Sequence, residues 1–289
     1  MELKKLGPSH ARVPEIGLGT WGYLGGIQPL RAGIEQGAFL IDTAEVYGTE
    51  EVVGQAVRHS REQVFLATKV PLRSFRRKPL IAAAERSLRR LGTEYIDLYQ
   101  LHWPNYTVPI EESMGALEEL VDAGKVRFIG VSNFSVRELK RAQAALSKYR
   151  IVSSQVRYSL IDRTIEEDLL QYCQQNEITV IAYSPLGTNL QQIRARDPEG
   201  MLAQLATRSQ KTEAQIALNW LIAKSNVVAI PQSSTVVHII ENCGASGWRL
   251  ATADYSRLEA DVRYVRRGKA RLALSRWKRR MLQSIGRQL

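Results

Sequence analysis

Asp42, Lys69 and His102 each end a short run of mostly apolar residues, and Tyr47 follows Asp42 by five positions. Such runs predict buried strands. When consecutive strands are parallel and close into a barrel, their carboxyl ends meet on one face. An acid, a phenol, an amine and an imidazole would then lie together, and these are groups suited to proton transfer.

Eight apolar runs recur along the chain, with segments of helical spacing between them. The runs are 16–18, 38–41, 64–67, 96–101, 126–131, 151–156, 178–182 and 227–230. Alternating strands and helices predict a parallel sheet, and eight such units in about 250 residues are typical of a (β/α)8 TIM barrel. Two further short segments around a Gly-Pro-Ser-His turn predict an N-terminal β-hairpin. We therefore predict a single α/β barrel domain, residues 1–262.

The composition, with 44% hydrophobic and 24% charged residues, is that of a globular protein. Cys173 and Cys243 occur in no metal or redox spacing, which predicts free thiols. The four histidines form no metal-binding pattern, so we expect no metal. Neither a signal peptide nor a run of about 18 apolar residues is present, so the expected compartment is the cytoplasm.

The net charge of +11 is concentrated in residues 263–289, a C-terminal tail with ten basic residues and no acid. The rest of the chain has 30 basic and 29 acidic residues, which argues against a nucleic-acid partner. Apolar residues recur in the tail at helical spacing and predict a basic amphipathic helix. They are Ala270, Leu274, Trp277, Met281 and Ile285. We favour a helix packed on the barrel; weak contact with an anionic membrane surface is the alternative.

One motif suggests a different fold. Gly17, Gly19 and Gly22 match the G-x-G-x-x-G pattern of dinucleotide-binding Rossmann domains, and Asp42 lies 20 residues further on. That pattern requires a helix to start within the glycines. Residues 23–29 instead contain two glycines and a proline, which disfavour a helix. We interpret the glycines as part of a wide loop after the first barrel strand.

Several longer motifs accompany the four titratable residues. They are Gly19-Thr20-Trp21, Leu101-His102-Trp103-Pro104, Gly130-Val131-Ser132-Asn133-Phe134 and Ala182-Tyr183-Ser184-Pro185-Leu186. Together, in this order and spacing, they resemble the aldo-keto reductase family from about residue 3 to about residue 242. The resemblance implies a (β/α)8 barrel that binds NADP or NAD without a Rossmann domain and reduces aldehydes and ketones.

The resemblance also implies the roles of four catalytic residues. Tyr47 would donate the proton, Lys69 and Asp42 would tune it, and His102 would orient the carbonyl. A cation about 4 Å from a phenol, at an effective dielectric near 20, contributes about 4 kcal/mol, or roughly three pKa units. We therefore expect Lys69 to bring the pKa of Tyr47 towards neutrality. Taken singly, each residue could be an ordinary buried polar side chain.

The cofactor contacts likewise follow from the resemblance. Ser132, Asn133 and Gln155 match positions that bind the nicotinamide carboxamide, and Tyr183 matches the ring that stacks on the nicotinamide. Glu241 and Asn242 match the positions that contact adenine. The remaining expected cofactor residues are Gly19, Thr20, Trp21, Asp42, Ser184, Pro185, Leu186, Gly187, Ile230, Pro231, Gln232, Ser233, Ser234 and His238.

The chain departs from the family pattern at two positions. Members that prefer NADP usually have Lys where this chain has Gln232 and Arg where it has His238. Those cations hold the 2′-phosphate, which Arg contacts through two parallel hydrogen bonds. Glutamine is neutral and histidine is largely so at pH 7. The sequence therefore predicts a weakened preference for NADP, although Ser233 and Ser234 could still donate to the phosphate.

The substrate is predicted only as a small carbonyl compound in contact with Trp21, Tyr47, His102 and Trp103. The two tryptophans favour an apolar or aromatic substrate. We expect a monomer. The alternative function is a nicotinamide-binding regulatory or adaptor barrel that docks through its basic tail. The complete set of four proton-transfer residues favours the enzyme.

Overall fold

An antiparallel hairpin of β1 (Leu3–Lys5) and β2 (Arg12–Pro14) opens the computed structural model, which describes residues 1–266 together with Gly268, Leu274, Met281 and Gln283. Leu6 and Val13 of this hairpin are buried in one apolar cluster with side chains from inside the barrel, such as Leu98. The predicted hairpin is confirmed, and it closes the amino-terminal end of the barrel.

Eight parallel strands follow, and each pairs with the next in the chain. They are β3 (Leu18–Gly19), β4 (Leu40–Asp42), β5 (Phe65–Val70), β6 (Ile96–Leu101), β7 (Val126–Ser132), β8 (Ile151–Arg157), β9 (Thr179–Tyr183) and β10 (Val227–Ile230). The barrel closes between its last and first strands, where Gly17 N donates to Ala229 O over 2.8 Å and Gly19 N donates to Pro231 O over 3.1 Å. Each of the eight predicted runs overlaps a strand, so the (β/α)8 barrel is confirmed.

Helices pack around the barrel. They are α1 (Gln28–Glu35), α2 (Glu50–Val57), α3 (Arg77–Leu91), α4 (Ile110–Asp122), α5 (Val136–Ala144), α6 (Leu169–Gln175), α7 (Leu190–Arg194), α8 (Met201–Ser209), α9 (Glu213–Ile222), α10 (Val236–Cys243) and α11 (Thr252–Asp261). Short 3₁₀ helices are Glu45–Tyr47, Arg61–Gln63, Leu72–Ser74 and Thr164–Glu167. None of the helices within the described residues combines the length and the hydropathy needed to cross a bilayer.

Local sequence signals account for individual helices. In α3, Leu80, Ala84 and Leu88 recur every four residues and are all buried, which gives the helix one apolar face toward the barrel. At the start of α5, the Ser135 hydroxyl accepts from Glu138 N while the Glu138 carboxylate accepts from Ser135 N. These two reciprocal hydrogen bonds form a capping box, which fixes the start of α5.

The glycine run 17–22 does not open a helix, because α1 begins only at Gln28. Gly19 is instead required for close packing, since a Cβ there would lie 2.7 Å from Ile230 O. The Rossmann interpretation is thus excluded by the loop between β3 and α1. Gly19 therefore allows the first and last strands to approach each other.

Most of the tail 263–289 lies outside the described residues. Within them, Val265 pairs with the loop after β8, donating to Ile161 O over 2.9 Å and accepting from Arg163 N over 3.0 Å. Gln283 reaches the loop after β6: its Oε1 accepts from Tyr106 N over 2.8 Å, and its Nε2 donates to Pro104 O over 3.2 Å. The domain boundary at residue 262 stays a prediction.

Candidate active site

Asp42 and Lys69 form a buried ion pair at the carboxyl ends of neighbouring strands. Lys69 Nζ lies 2.6 Å from Asp42 Oδ1 and also donates to Thr43 O over 2.7 Å. The Lys69 side chain is fully buried, and that of Asp42 is 3% exposed. A buried ammonium is tolerated only when it is paired and hydrogen-bonded. The carboxylate and the carbonyl therefore hold the Lys69 ammonium in one position.

The 3₁₀ helix that follows β4 brings Tyr47 over this pair. The helix ends at Gly48, whose φ of 69° is in the left-handed region. Lys69 Nζ lies 4.9 Å from the centroid of the Tyr47 ring, and the Tyr47 hydroxyl lies 3.4 Å from His102 Nε2. The four residues predicted from the sequence thus come together on the carboxyl-terminal face of the barrel.

The second oxygen of Asp42 is held by two amides from the barrel interior. Gln155 Nε2 donates to Asp42 Oδ2 over 2.7 Å, and Gln100 Nε2 lies 3.4 Å from the same atom. Gln100 was not among the predicted site residues, although it alternates with His102 along the same segment. These two amides hold the Asp42 carboxylate in the orientation that faces Lys69.

Burial and the central ammonium set the protonation states. Burial lowers the pKa of Lys69, but Asp42 and Tyr47 raise it, and the net direction is upward. Burial and the Lys69 charge together lower the pKa of His102 to about 3. Lys69 is therefore charged and His102 neutral at pH 7.

The expected fall in the Tyr47 pKa is wrong for this structure. Burial raises the pKa of Tyr47, and the attraction of Lys69, which lowers it, is too small to reverse the shift. The cation is only one of two opposing effects, because removing a phenolate from water raises the pKa of the phenol. Asp42, whose negative charge opposes Lys69, adds to the upward shift.

Two buried carboxylates behind the site belong to an ion cluster that the sequence did not reveal. Glu45, two residues before Tyr47, accepts from Arg86 Nε over 3.0 Å, and its side chain is 2% exposed. Glu50 accepts from Arg90 over 3.0 Å and from Thr68 over 2.7 Å. The segments that carry Tyr47 and Lys69 are thus both anchored to arginines of α3.

Ser132, Asn133 and Tyr183 form a connected polar group beside His102. Asn133 Nδ2 donates to Ser132 Oγ over 2.9 Å and to His102 O over 3.1 Å, and the Tyr183 hydroxyl donates to Asn133 Oδ1 over 2.9 Å. Asn133 has a φ of 65°, a left-handed conformation that asparagine adopts more readily than most residues. Gln155 lies next to Ser132 in the strand register.

The loops after β9 and β10 hold most of the other predicted cofactor residues. Ser184 and Gly187 both have positive φ, 48° and 70°, and the turn is closed by Gly187 N donating to Ser184 O over 2.9 Å. The Gln232 amide donates to Ser234 Oγ over 3.1 Å. Thr235 caps α10 by accepting from His238 N. This end of α10 is the positive pole of the helix and favours an anion.

His238 has a partner in the structure. Its Nδ1 lies 2.9 Å from Glu241 Oε2, so the carboxylate of Glu241 is held on the same turn of α10. Asn242, the next residue, is buried. The two residues that replace the usual cations, Gln232 and His238, therefore make contacts with neutral or acidic groups of the chain itself.

The two predicted substrate tryptophans differ in exposure. Trp21 is 72% exposed in the loop after β3. Trp103 is partly buried and stacks on His102, with ring centroids 6.5 Å apart and planes 20° from parallel. Tyr106, in the same loop as Trp103, donates to Glu138 Oε1 over 2.7 Å. Trp103 is thus positioned by the site, and Trp21 is open to solvent.

The family model of the aldo/keto reductase family matches residues 15–262. The chain belongs to this family. It is 38% identical over 258 residues to methylglyoxal reductase YeaE of Escherichia coli, covering 86% of this chain and 90% of that protein. It is 34% identical over 254 residues to glyoxal reductase of Bacillus subtilis, covering 86% and 88% of the two chains.

Solved structures agree with this assignment. The thermostable aldo-keto reductase Tm1743, determined with the inhibitor epalrestat, superposes with a TM-score of 0.84 at 39% identity, covering 90% of this chain and 99% of that one. An aldo/keto reductase from Klebsiella pneumoniae, determined with NADP and acetate, gives a TM-score of 0.81 at 36% identity, covering 92% and 97%.

Proposed function

We propose that this protein reduces small aldehydes and ketones to alcohols with NADPH or NADH. The observation that carries the proposal is the buried Lys69–Asp42 pair beneath Tyr47, with His102 beside the Tyr47 hydroxyl. Membership of the aldo/keto reductase family and the reductase relatives support it. No contact within the described residues favours the adaptor alternative.

The residues present fit a nicotinamide dinucleotide. Ser132, Asn133 and Gln155 offer hydroxyl and amide groups to a carboxamide, and Tyr183 offers an aromatic face beside them. The amino-terminal end of α10 would take a phosphate group. When bound, the reduced cofactor supplies the hydride that reaches the carbonyl carbon.

Tyr47 would deliver the proton to the carbonyl oxygen. Because burial raises its pKa, the phenol is protonated at pH 7 and ready to donate. An alkoxide is about as basic as hydroxide, and it is therefore a much stronger base than a phenolate. Transfer from the phenol is therefore favourable without a large fall in its pKa. Lys69 then stabilises the phenolate that remains.

His102 would position the carbonyl rather than act as an acid. Because its pKa is lowered to about 3, the imidazole is neutral and can donate one hydrogen bond to the substrate oxygen without competing for the proton. Asp42 keeps Lys69 charged, and Gln155 and Gln100 hold Asp42 in place.

The cofactor preference is also part of the proposal. Glu241 holds His238, and Gln232 carries no charge, so these two positions offer a 2′-phosphate no fixed cation and place a carboxylate nearby. We expect NADH to be used comparably to NADPH or to be favoured. A dissociation constant for NADPH more than a hundredfold below that for NADH would contradict this.

Consumption of reduced cofactor with a panel of aldehydes, methylglyoxal and glyoxal included, tests the reaction. Tyr47→Phe should lose the activity and still bind NADPH, as measured by protein fluorescence quenching. Retention of the parent rate in Tyr47→Phe would overturn the assignment of the proton donor. Failure of the parent protein to consume cofactor with any carbonyl would overturn the proposed reaction.

A further inference from the structure

A cavity of about 540 Å³ lies between the end of β8 and the loop after it, the connection from β9 to α8, and the segment that follows α11. Three arginines from these three segments line it: Arg157, Arg196 and Arg263. Arg263 N donates to Arg196 O over 2.8 Å, which joins two of the segments. The cavity is therefore built by parts of the chain that only the fold brings together.

The cavity carries excess positive charge. Within the described residues, none of the three guanidinium groups forms an ion pair with a carboxylate. The one acid in the lining is Asp162, whose Oδ1 accepts from the Thr164 hydroxyl over 2.7 Å. Three cations gathered around one cavity with a single acid favour an anionic occupant.

The polar groups and the size of the cavity define that occupant. Each guanidinium can give a carboxylate or a phosphate two parallel hydrogen bonds. Gln192 accepts from Thr188 N through Oε1, which leaves its Nε2 group as a further donor. The volume is within the range of small-molecule sites, about 300–1,000 Å³, and exceeds the needs of a single inorganic anion. The lining therefore suits a small organic anion.

The cavity is linked to the catalytic groups through Tyr183. Arg157 is paired with Tyr183 in the register of β8 and β9, and its Cζ lies 5.8 Å from the centroid of the Tyr183 ring. Tyr183 in turn donates to Asn133, which donates to the backbone oxygen of His102. An anion held by Arg157 would thus lie on the same face of the barrel as the proton donor.

We propose that the cavity binds the carboxylate or phosphate group of an anionic carbonyl substrate. The inference rests on the proposed reductase function and names the class of substrate: an aldehyde or ketone with an acidic group at the end remote from the carbonyl. Arg157, Arg196 and Arg263 are specificity residues under this proposal. Tyr47 remains the proposed proton donor for the reduction.

A matched pair of substrates tests the proposal: para-carboxybenzaldehyde and its neutral amide, para-carbamoylbenzaldehyde. Arg157→Gln, Arg196→Gln and Arg263→Gln should each lower kcat/KM for the acid about tenfold or more, because a charge-assisted hydrogen bond is lost. The kcat/KM for the amide should change less than about threefold in the same variants. Arg194→Gln is the control, since Arg194 ends α7 only two residues before Arg196 but is paired with Glu213 over 2.6 Å.

Equal losses for the acid and the amide, or no loss for either, would overturn the proposal. Gly187, a predicted cofactor residue, also borders the cavity, so the dissociation constant of NADPH is measured for every variant. A rise in that constant as large as the loss in kcat/KM would show that the arginines hold the cofactor instead.

A binding measurement separates failure of the cavity from failure of the proposed reaction. Calorimetric titration with para-hydroxymethylbenzoate, the expected product, should show binding to the parent protein and to Arg194→Gln, and at least tenfold weaker binding to Arg157→Gln. Binding of the product acid without turnover of either aldehyde would support the anion site and contradict the proposed reduction. Turnover of both aldehydes at equal kcat/KM, with no binding of the product acid, would overturn the anion site alone.

Discussion

Removing the ammonium of Lys69 should destabilise the protein more than removing both charges of the Lys69–Asp42 pair. In Lys69→Met, the Asp42 carboxylate keeps its bonds to Gln155 and Gln100 but loses the cation 2.6 Å away. The side chain of Asp42 is 3% exposed, so water cannot replace the lost partner. In Asp42→Asn/Lys69→Met, no uncompensated charge remains.

The magnitudes follow from the burial of the pair. Breaking a buried ion pair from one side costs about 3–5 kcal/mol, whereas replacing both partners with neutral residues is often close to neutral. Loss of the bond to Thr43 O adds about 1 kcal/mol in both variants. We therefore expect Lys69→Met to lose about 4–6 kcal/mol and the double variant to recover about 3–5 kcal/mol of it. At about 2 °C per kcal/mol, the Tm of Lys69→Met falls by about 8–12 °C.

Urea unfolding followed by tryptophan fluorescence measures the free energy of unfolding of the parent, the two single variants and the double variant. Lys148→Met is the control, because the Lys148–Asp122 pair is of similar length, 2.7 Å, but is 61% and 43% exposed. Its loss should leave the free energy of unfolding close to that of the parent, because the pair is exposed to solvent. Equal midpoints for Lys69→Met and the double variant would refute the reasoning, since Asp42 would then be stable without a partner.

Four further predictions concern the site. Glu45→Gln removes the carboxylate that accepts from Arg86, so we expect a loss of about 1–3 kcal/mol in the free energy of unfolding. We also expect a lower kcat, because Tyr47 is less well positioned. An altered KM with unchanged kcat would contradict this role of Glu45. Since the pKa of His102 is about 3 instead of 6.5, the pH profile of kcat/KM should show no ionisation near 6.5. Between pH 6.5 and pH 3, His102 takes up a proton in the unfolded chain but not in the folded chain. The free energy of unfolding therefore falls with acidification by up to about 1.4 kcal/mol per pH unit. His102→Gln should remove this contribution to the slope. Gln232→Lys/His238→Arg should tighten NADPH at least tenfold and leave NADH within about threefold, as judged by fluorescence titration; equal changes for both cofactors would contradict a role at the 2′-phosphate.

The sequence by itself determined the barrel, because its eight apolar runs and the helical spacing between them are local properties of the chain. The ends of those runs also identified Asp42, Lys69 and His102, since the side chain at the carboxyl end of a parallel strand points to a known face. The capping box of α5 was equally readable, because its two partners are three residues apart.

Only the tertiary structure determined the pKa values in the site and the grouping of the three arginines around the cavity. The pKa of Tyr47 depends on how far the phenol is removed from water, a property of the surrounding fold that residue spacing does not encode. The same is true of Gln100 and of the arginines that meet at the cavity. Arg157 and Arg263 are more than a hundred residues apart in the chain, and the pairing of the segment after α11 with the loop after β8 brings them together.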